Sequence, residues 1–270
     1  MVMDDWAEIR RACARWEDEA ALVLSKHAGI SVVGERHGAD LLTLARDAGE
    51  RLLPVHRIDK VTSGAVLLAK LPGAHAELTR QFRRRSAGKV YLAVTRSHGL
   101  PERGSIELPL SVGRKNRVRV AAQRSSIVLD ETGGRWSVAP SEVFTHTTTY
   151  PSLTTFASVW EDRRHTLLAV RPVTGRRHQI RVHLAWIGHP IEGDPLFGGE
   201  GGPGAGALRT ALHSWRIAFD APWAGNARIE VEAPPGDDFW ACLPARPDDV
   251  PPALLLRRAG DAVEALGPAA

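Results

Sequence analysis

Strand-length apolar runs recur along this 270-residue chain, with few helix-length patterns between them. "SGAVLLAK" (Ser63 to Lys70) is continuous and short, as in a strand buried on both faces, and Pro72-Gly73 ends it. "KVYLAVT", "SIELPL", "RVRVAA", "LTTFASVW" and "HTLLAVRPV" read as further strands, several with period two, and "ISVVG" (Ile30 to Gly34) reads as another. Two helical patterns interrupt them. "AHAELTRQF" sets Ala74, Leu78 and Phe82 on one face, with Arg80, Arg83 and Arg84 off it. "HQIRVHLAWIG" spaces Ile180, Leu184 and Ile187 helically, with Gly188 as a C-terminal cap, Pro190 beyond, and Thr174 or Gly175 to open it. The strands do not alternate one by one with helices. They predict an α+β fold around a mixed, mostly antiparallel sheet flanked by helices and loops.

No internal repeat or long linker divides the chain. The organisation expected is an N-terminal extension (1–21), one catalytic domain (22–240) and a C-terminal tail (241–270) carrying a short helix. No window approaches the ~18 apolar residues of a membrane helix. The acidic, amphipathic start lacks a signal-peptide core, so a cytoplasmic protein is expected, with monomer as the default. Cys13 and Cys242 stand alone, which excludes a disulfide framework and a Cys-based zinc site. His178, His183 and His189, spaced by five and six, do not share a helical face and H-E-x-x-H is absent, so no metal is expected. "FGGEGGPGAGA" matches G-x-G-x-x-G literally at Gly199 to Gly204. No strand leads into it, it contains Pro203, and no helix pattern follows, so no dinucleotide site is read there.

The net charge is +4, and its distribution says more than its size. "RQFRRRSAGK" carries five basic residues (Arg80, Arg83, Arg84, Arg85 and Lys89) and no acid. "GRKNRVR" carries Arg114, Lys115, Arg117 and Arg119, again with no acid. The acids gather near the two ends. Segregation of this kind suits a polyanion, RNA or DNA.

In "HRIDKVTSG" (His56 to Gly64), Asp59 stands between Arg57 and Lys60 just before the buried run. By itself this pattern fits a structural ion pair or a carboxylate held for chemistry. "TGRRHQIRVHLAWIGHPIEGD" concentrates Arg and His on what reads as a helix, with Arg177 and Arg181 four apart and His183 facing the core or RNA. An arginine there can hold a carboxylate by two parallel hydrogen bonds. Such a partner keeps the carboxylate ionised, fit to act as nucleophile or base.

Taken together, "HRIDKVTSG", Lys89-x-Tyr91-x-Ala93, "TGRRHQIRVH" with "GHPIEGD", and Leu212-His213 resemble the RluA family of pseudouridine synthases over roughly Leu22 to Pro235. The resemblance implies an isomerase that turns uridine of structured RNA into pseudouridine, in ribosomal RNA ahead of transfer RNA. It implies no cofactor, since no atom is gained or lost. It assigns the catalytic aspartate to Asp59, the active-site tyrosine to Tyr91 and the aspartate-binding arginine to Arg181. Arg57 matches the arginine that fills the place of the flipped base, and Ile180 an apolar neighbour of the uracil. His56, Arg176 and His178, inside the motifs, join the basic run Arg83, Arg84, Arg85 and Lys89 as expected RNA contacts. There are departures. His27 follows Lys26 where the family has proline, and Phe144 to Ser158 lacks the family's Ala-x-Thr-x-Tyr pattern. His56 comes too early to leave room for the small RNA-binding domain that many members carry ahead of the catalytic one. The rival reading is a non-catalytic RNA-binding or RNA-folding protein of the same fold.

Overall fold

Every residue of the run Ser63–Ala69 is buried, as a strand covered on both faces requires. The computed structural model describes residues 5–34, 38–113, 117–198, 209–243 and 250–267. In chain order the elements are α1 (Trp6–Cys13), β1 (Ala14–Glu17), β2 (Ala21–Lys26), α2 (Leu41–Asp47), β3 (Leu53–Pro54), β4 (Ser63–Ala69), α3 (Pro72–Arg84), β5 (Gly88–Thr95), β6 (Arg103–Glu107), β7 (Leu110–Val112), β8 (Val118–Val120), β9 (Ile127–Asp130), β10 (Arg135–Val138), β11 (Thr149–Tyr150), β12 (Leu153–Glu161), β13 (Thr166–Pro172), α4 (Gln179–Trp186), β14 (Leu212–Ala221), β15 (Ala227–Glu232), α5 (Asp237–Trp240) and α6 (Pro252–Ala265). The strands are mixed but mostly antiparallel, as expected. They fall in two units: Met1–Val90 with Leu212–Gly236, and Tyr91–Ala211 with Asp237–Ala270.

In the first unit the strands run β1-β2-β4-β14, with β3 on β4 and β15 on β14. The β4–β14 pair is parallel, and the others are antiparallel. Gly64 has no alternative at the parallel pair: a Cβ there would lie 2.1 Å from the carbonyl oxygen of Ser214, and its φ is +103°. Helix α3 starts on Pro72, whose missing N–H costs nothing at a first helical position. It buries Ala74 and Leu78 against Leu67, Ile217 and Phe219. Residues 5–17 fold as α1 and β1, and Asp5 caps α1 by accepting the N–H of Ala7. The strand expected at Ile30–Gly34 is instead a loop. The carbonyls of Ser31 and Val32 accept from Leu41 and Leu42, so they satisfy first-turn N–H groups of α2 rather than a neighbouring strand.

In the second unit the strands run β5-β13-β12-β6-β10-β9, and a separate antiparallel sheet runs β11-β7-β8. Here β6 and β10 are parallel. Helix α6 lies on β12 and β13, where Arg171 donates to the carbonyls of Val263 and Gly267. No described helix is long and apolar enough to cross a membrane.

Candidate active site

Asp59 is half-buried in the turn that enters β4, and its carbonyl accepts the N–H of Thr62 at 3.0 Å. The turn is tied down on three sides. Ahead of it, β3 stops at Pro54, and His56 takes over its pairing: the ring Nε2 accepts the N–H of Leu67 at 3.0 Å. Behind it, the carbonyl of Lys60 accepts the N–H of Gly29 at 2.7 Å. That carbonyl lies 3.4 Å from Nζ of Lys26, which donates to His27 and Ile30 carbonyls at 2.8 Å each. Lys26 is 2% exposed, so a buried ammonium gathers three backbone oxygens around the residue after Asp59. Finally Ser63 Oγ lies 2.6 Å from Nδ1 of His213, whose Nε2 lies 2.6 Å from the carbonyl of Ala233. A carbonyl can only accept, so Nε2 carries the proton and Nδ1 accepts from the serine hydroxyl. Ile58 is buried beside the turn, and Arg57 is exposed.

The His56 ring stacks on Phe82 of α3 at 4.7 Å, and Lys89 Nζ sits 5.8 Å from the centre of the Phe82 ring. Burial and the Lys89 charge push His56 down to about 3. His56 is therefore a neutral hydrogen-bond acceptor near pH 7. Burial and the charge of Arg85 push Lys89 down to about 8. Arg83, Arg84 and Arg85 are exposed, and Arg85 closes α3 in the left-handed region at φ 61°.

In the second unit Tyr91 is buried on β5 opposite Val170 of β13. Helix α4 does not open on Thr174 or Gly175 as expected. Its first residue is Gln179, preceded by His178 at φ 56°. The Gln179 side chain sets the turn: Oε1 accepts the Thr174 hydroxyl at 2.6 Å and the Arg176 N–H at 3.0 Å. Its amide donates to the Leu153 carbonyl and the Thr154 hydroxyl. Arg177 thus precedes the helix and shares no helical face with Arg181. His183 is core: it bonds the Thr154 hydroxyl and the Leu108 carbonyl at 3.0 Å each, and burial pushes it down to about 4.

Ile180 and Arg181 are buried on α4. Arg181 grips Asp194 with two bonds, Nε to Oδ2 at 2.7 Å and Nη2 to Oδ1 at 2.8 Å, both side chains being 2% exposed or less. Asp194 Oδ1 also accepts the N–H groups of Leu196 and Phe197. Burial alone would raise the Asp194 carboxyl. Arg181 and the two N–H groups outweigh it and hold the carboxyl below the usual carboxylate range. The Phe197 ring lies 5.3 Å from the Arg181 guanidinium and 5.8 Å from the His178 ring. Arg176 is exposed over Tyr150 at 5.3 Å.

Two residues that build these settings, Lys26 and Asp194, stood in recognised motifs with no role assigned. The Asp that ends "GHPIEGD" was the available signal. Arg114, Lys115 and the glycines Gly199 to Gly204 lie outside the described residues. Among the described residues, no group of three or more His, Cys, Asp or Glu side chains is placed to hold a metal ion.

Residues 20–186 match the family model described as RNA pseudouridylate synthase. The chain is 35% identical over 230 residues to the ribosomal large subunit pseudouridine synthase C of Vibrio cholerae, covering 82% of this chain and 65% of that one. It therefore spans just under two-thirds of that relative's length. It is 31% identical over 218 residues to the dual-specificity RNA pseudouridine synthase RluA of Escherichia coli, covering 78% of this chain and 88% of the relative. The fold is similar to that of human RNA pseudouridylate synthase domain containing 4, with TM-score 0.68, 22% identity, and coverage of 88% and 94%. A match over more than half its length shows that this chain belongs to the RNA pseudouridylate synthase family, whose members are RNA isomerases.

Proposed function

We propose that this protein isomerises uridine to pseudouridine in structured RNA, in ribosomal RNA ahead of transfer RNA, with residues 22–240 as the catalytic part and Asp59 as the catalytic carboxylate. The observation that carries this reading is the turn around Asp59: His56 and Lys60 on either side of it are committed to backbone partners, and its carboxylate stands inside the motif that resembles the family's. In the reaction the bond from ribose C1′ to uracil N1 breaks, the base turns, and C5 bonds to C1′. The C5 proton leaves and N1 gains one, so atoms and electrons balance without a cofactor. Positive charge develops on the sugar as the glycosidic bond breaks, and a fixed carboxylate opposes it.

Arg181, by its motif position, orients Asp59. Its grip on Asp194 supports the role, because an arginine pinned along one edge presents its remaining donors in a set direction. Tyr91 packs on the uracil or takes the C5 proton, with Ile180 as the apolar neighbour. A stacked base is out of reach of any of these groups, so the nucleotide is flipped out, and Arg57 fills its place. Unpaired loops make that cheaper. Arg83, Arg84, Arg85, Lys89, Arg176 and His178 contact the RNA, and His56 serves by holding its turn. The protein acts as a cytoplasmic monomer without metal.

The test is tritium release from RNA labelled at uridine C5, with total ribosomal RNA and total transfer RNA from cells lacking the gene. Release from the ribosomal pool is expected. Release from the transfer pool alone would reverse the RNA assignment, and release from neither would overturn the activity for both pools.

A further inference from the structure

A concave site of about 730 Å³ lies within the unit that holds Tyr91 and Arg181. The end of β5 supplies Arg96 and His98, the β12–β13 turn supplies Arg163 and Arg164, and the segment after α4 supplies His189 and Glu192. Its lining does not include Tyr91, Arg181 or Asp194, although Gly188, His189 and Glu192 belong to "GHPIEGD". Arg96 comes five residues after Tyr91, about 16 Å at the rise of a strand. The last residue of α4, Trp186, lies about 8 Å from Arg181 at the rise of a helix, and His189 comes three residues beyond it.

The charges in this site are arranged to leave two arginines without an acid. Its lining carboxylate, Glu192, is engaged by Arg96 at 2.8 and 3.0 Å, and that contact holds the carboxyl below the usual range. The acid of the turn, Asp162, spends Oδ1 on the N–H groups of Arg164 and His165 at 2.6 and 2.7 Å, and that oxygen lies 3.6 Å from the His165 ring. Arg163 and Arg164 are exposed, and no carboxylate among the described residues pairs with either. His189 adds a polar group held in place, its Nδ1 2.6 Å from Ser97 Oγ.

Among the described residues, no apolar side chain lines the cavity. Small-ligand pockets are mostly apolar and cover most of their ligand. An open, guanidinium-lined hollow instead suits phosphate oxygens strung on a chain, which arginine binds bidentately. We propose that this hollow binds backbone phosphates of the RNA substrate, away from the uridine that reacts. The proposal rests on reading the chain as an RNA-modifying enzyme, and it adds a second anchoring point to that reading.

The test uses the full chain and the double variant Arg163→Ala/Arg164→Ala, in an exposed turn where folding does not depend on them. Binding to total ribosomal RNA is followed from low to moderate salt, with tritium release measured on the same RNA. The expected result is a plot of log affinity against log salt shallower by about one to two, and a KM raised roughly tenfold, as two lost phosphate contacts require. Arg163→Lys/Arg164→Lys should restore most of the slope, since charge is what the phosphates read. An unchanged slope and KM in the alanine variant would overturn the proposal. So would inorganic pyrophosphate that binds the wild type but does not compete with RNA, because the site would then serve a small phosphate compound. Failure of the wild type to release tritium would strike the enzymatic reading instead, and the salt slope would still decide the hollow.

Discussion

The turn that carries Asp59 and the helix that carries Arg181 are fixed by opposite means. Around Asp59 the anchors end on backbone: a neutral imidazole accepts an N–H, a buried ammonium collects carbonyls, and Ser63 leads through His213 to the carbonyl of Ala233. Around Arg181 the anchor is a buried ion pair between side chains. Backbone anchoring spreads the load over several weak contacts, so one loss loosens the turn. A buried pair concentrates it, so one loss leaves an uncompensated charge.

Breaking the pair should therefore cost most. Asp194→Ala should lower unfolding free energy by about 3–5 kcal/mol in urea titration. The carboxyl of Asp194 is depressed in the fold, so its contribution is present above the ordinary carboxyl range and fades as pH falls through the folded value. The gap between wild type and variant should narrow below about pH 4. A gap that widens in acid would mean the pair is not what holds the helix. Next, Lys26→Met should cost about 2–4 kcal/mol by leaving buried carbonyls without their cation. It should also slow turnover on the order of tenfold by freeing the chain next to Asp59. Full activity in a destabilised Lys26→Met protein would separate the anchor from the site.

Acid tests both regions at once, with a smaller effect. His56 and His183 stay neutral in the fold to about 3 and about 4. The unfolded chain takes up their protons below about 6.5, so stability should fall with pH from there by about 1 kcal/mol per unit for each. His56→Gln should remove its share of that slope between pH 6.5 and 5 (both approximate, set by the ordinary histidine value). A slope untouched by the change would show that His56 protonates without cost. The smallest effect belongs to the exposed run: Arg83→Ala/Arg84→Ala should leave stability within about 0.5 kcal/mol. It should also make the salt dependence of RNA binding shallower by about one unit per arginine.

The sequence showed the strands through apolar runs, and it showed α3 and α4 through their spacing. Both signals are local. Ile30–Gly34 misled because an extended loop against α2 and a strand share the same pattern of apolar residues; what separates them is the partner of each carbonyl. The start of α4 was misplaced because a glutamine side chain inside the helix replaces the expected cap. The motifs located Asp59, Tyr91 and Arg181, but not what braces them. Ser63 meets His213 across 150 residues, and Lys26 meets Lys60 across 34. Such pairings follow from strand order, which no spacing rule reports. His56 owes its neutral form to burial against Phe82, a contact no motif reports.

The most direct test of the account is to compare wild type and Asp59→Asn on one ribosomal RNA preparation, measuring tritium release, RNA affinity and the urea midpoint. If the surrounding motif residues serve the fold and Asp59 serves the chemistry, release should fall by at least about a thousandfold, while affinity and midpoint stay close to wild type. Release by the variant at the wild-type rate would contradict that division.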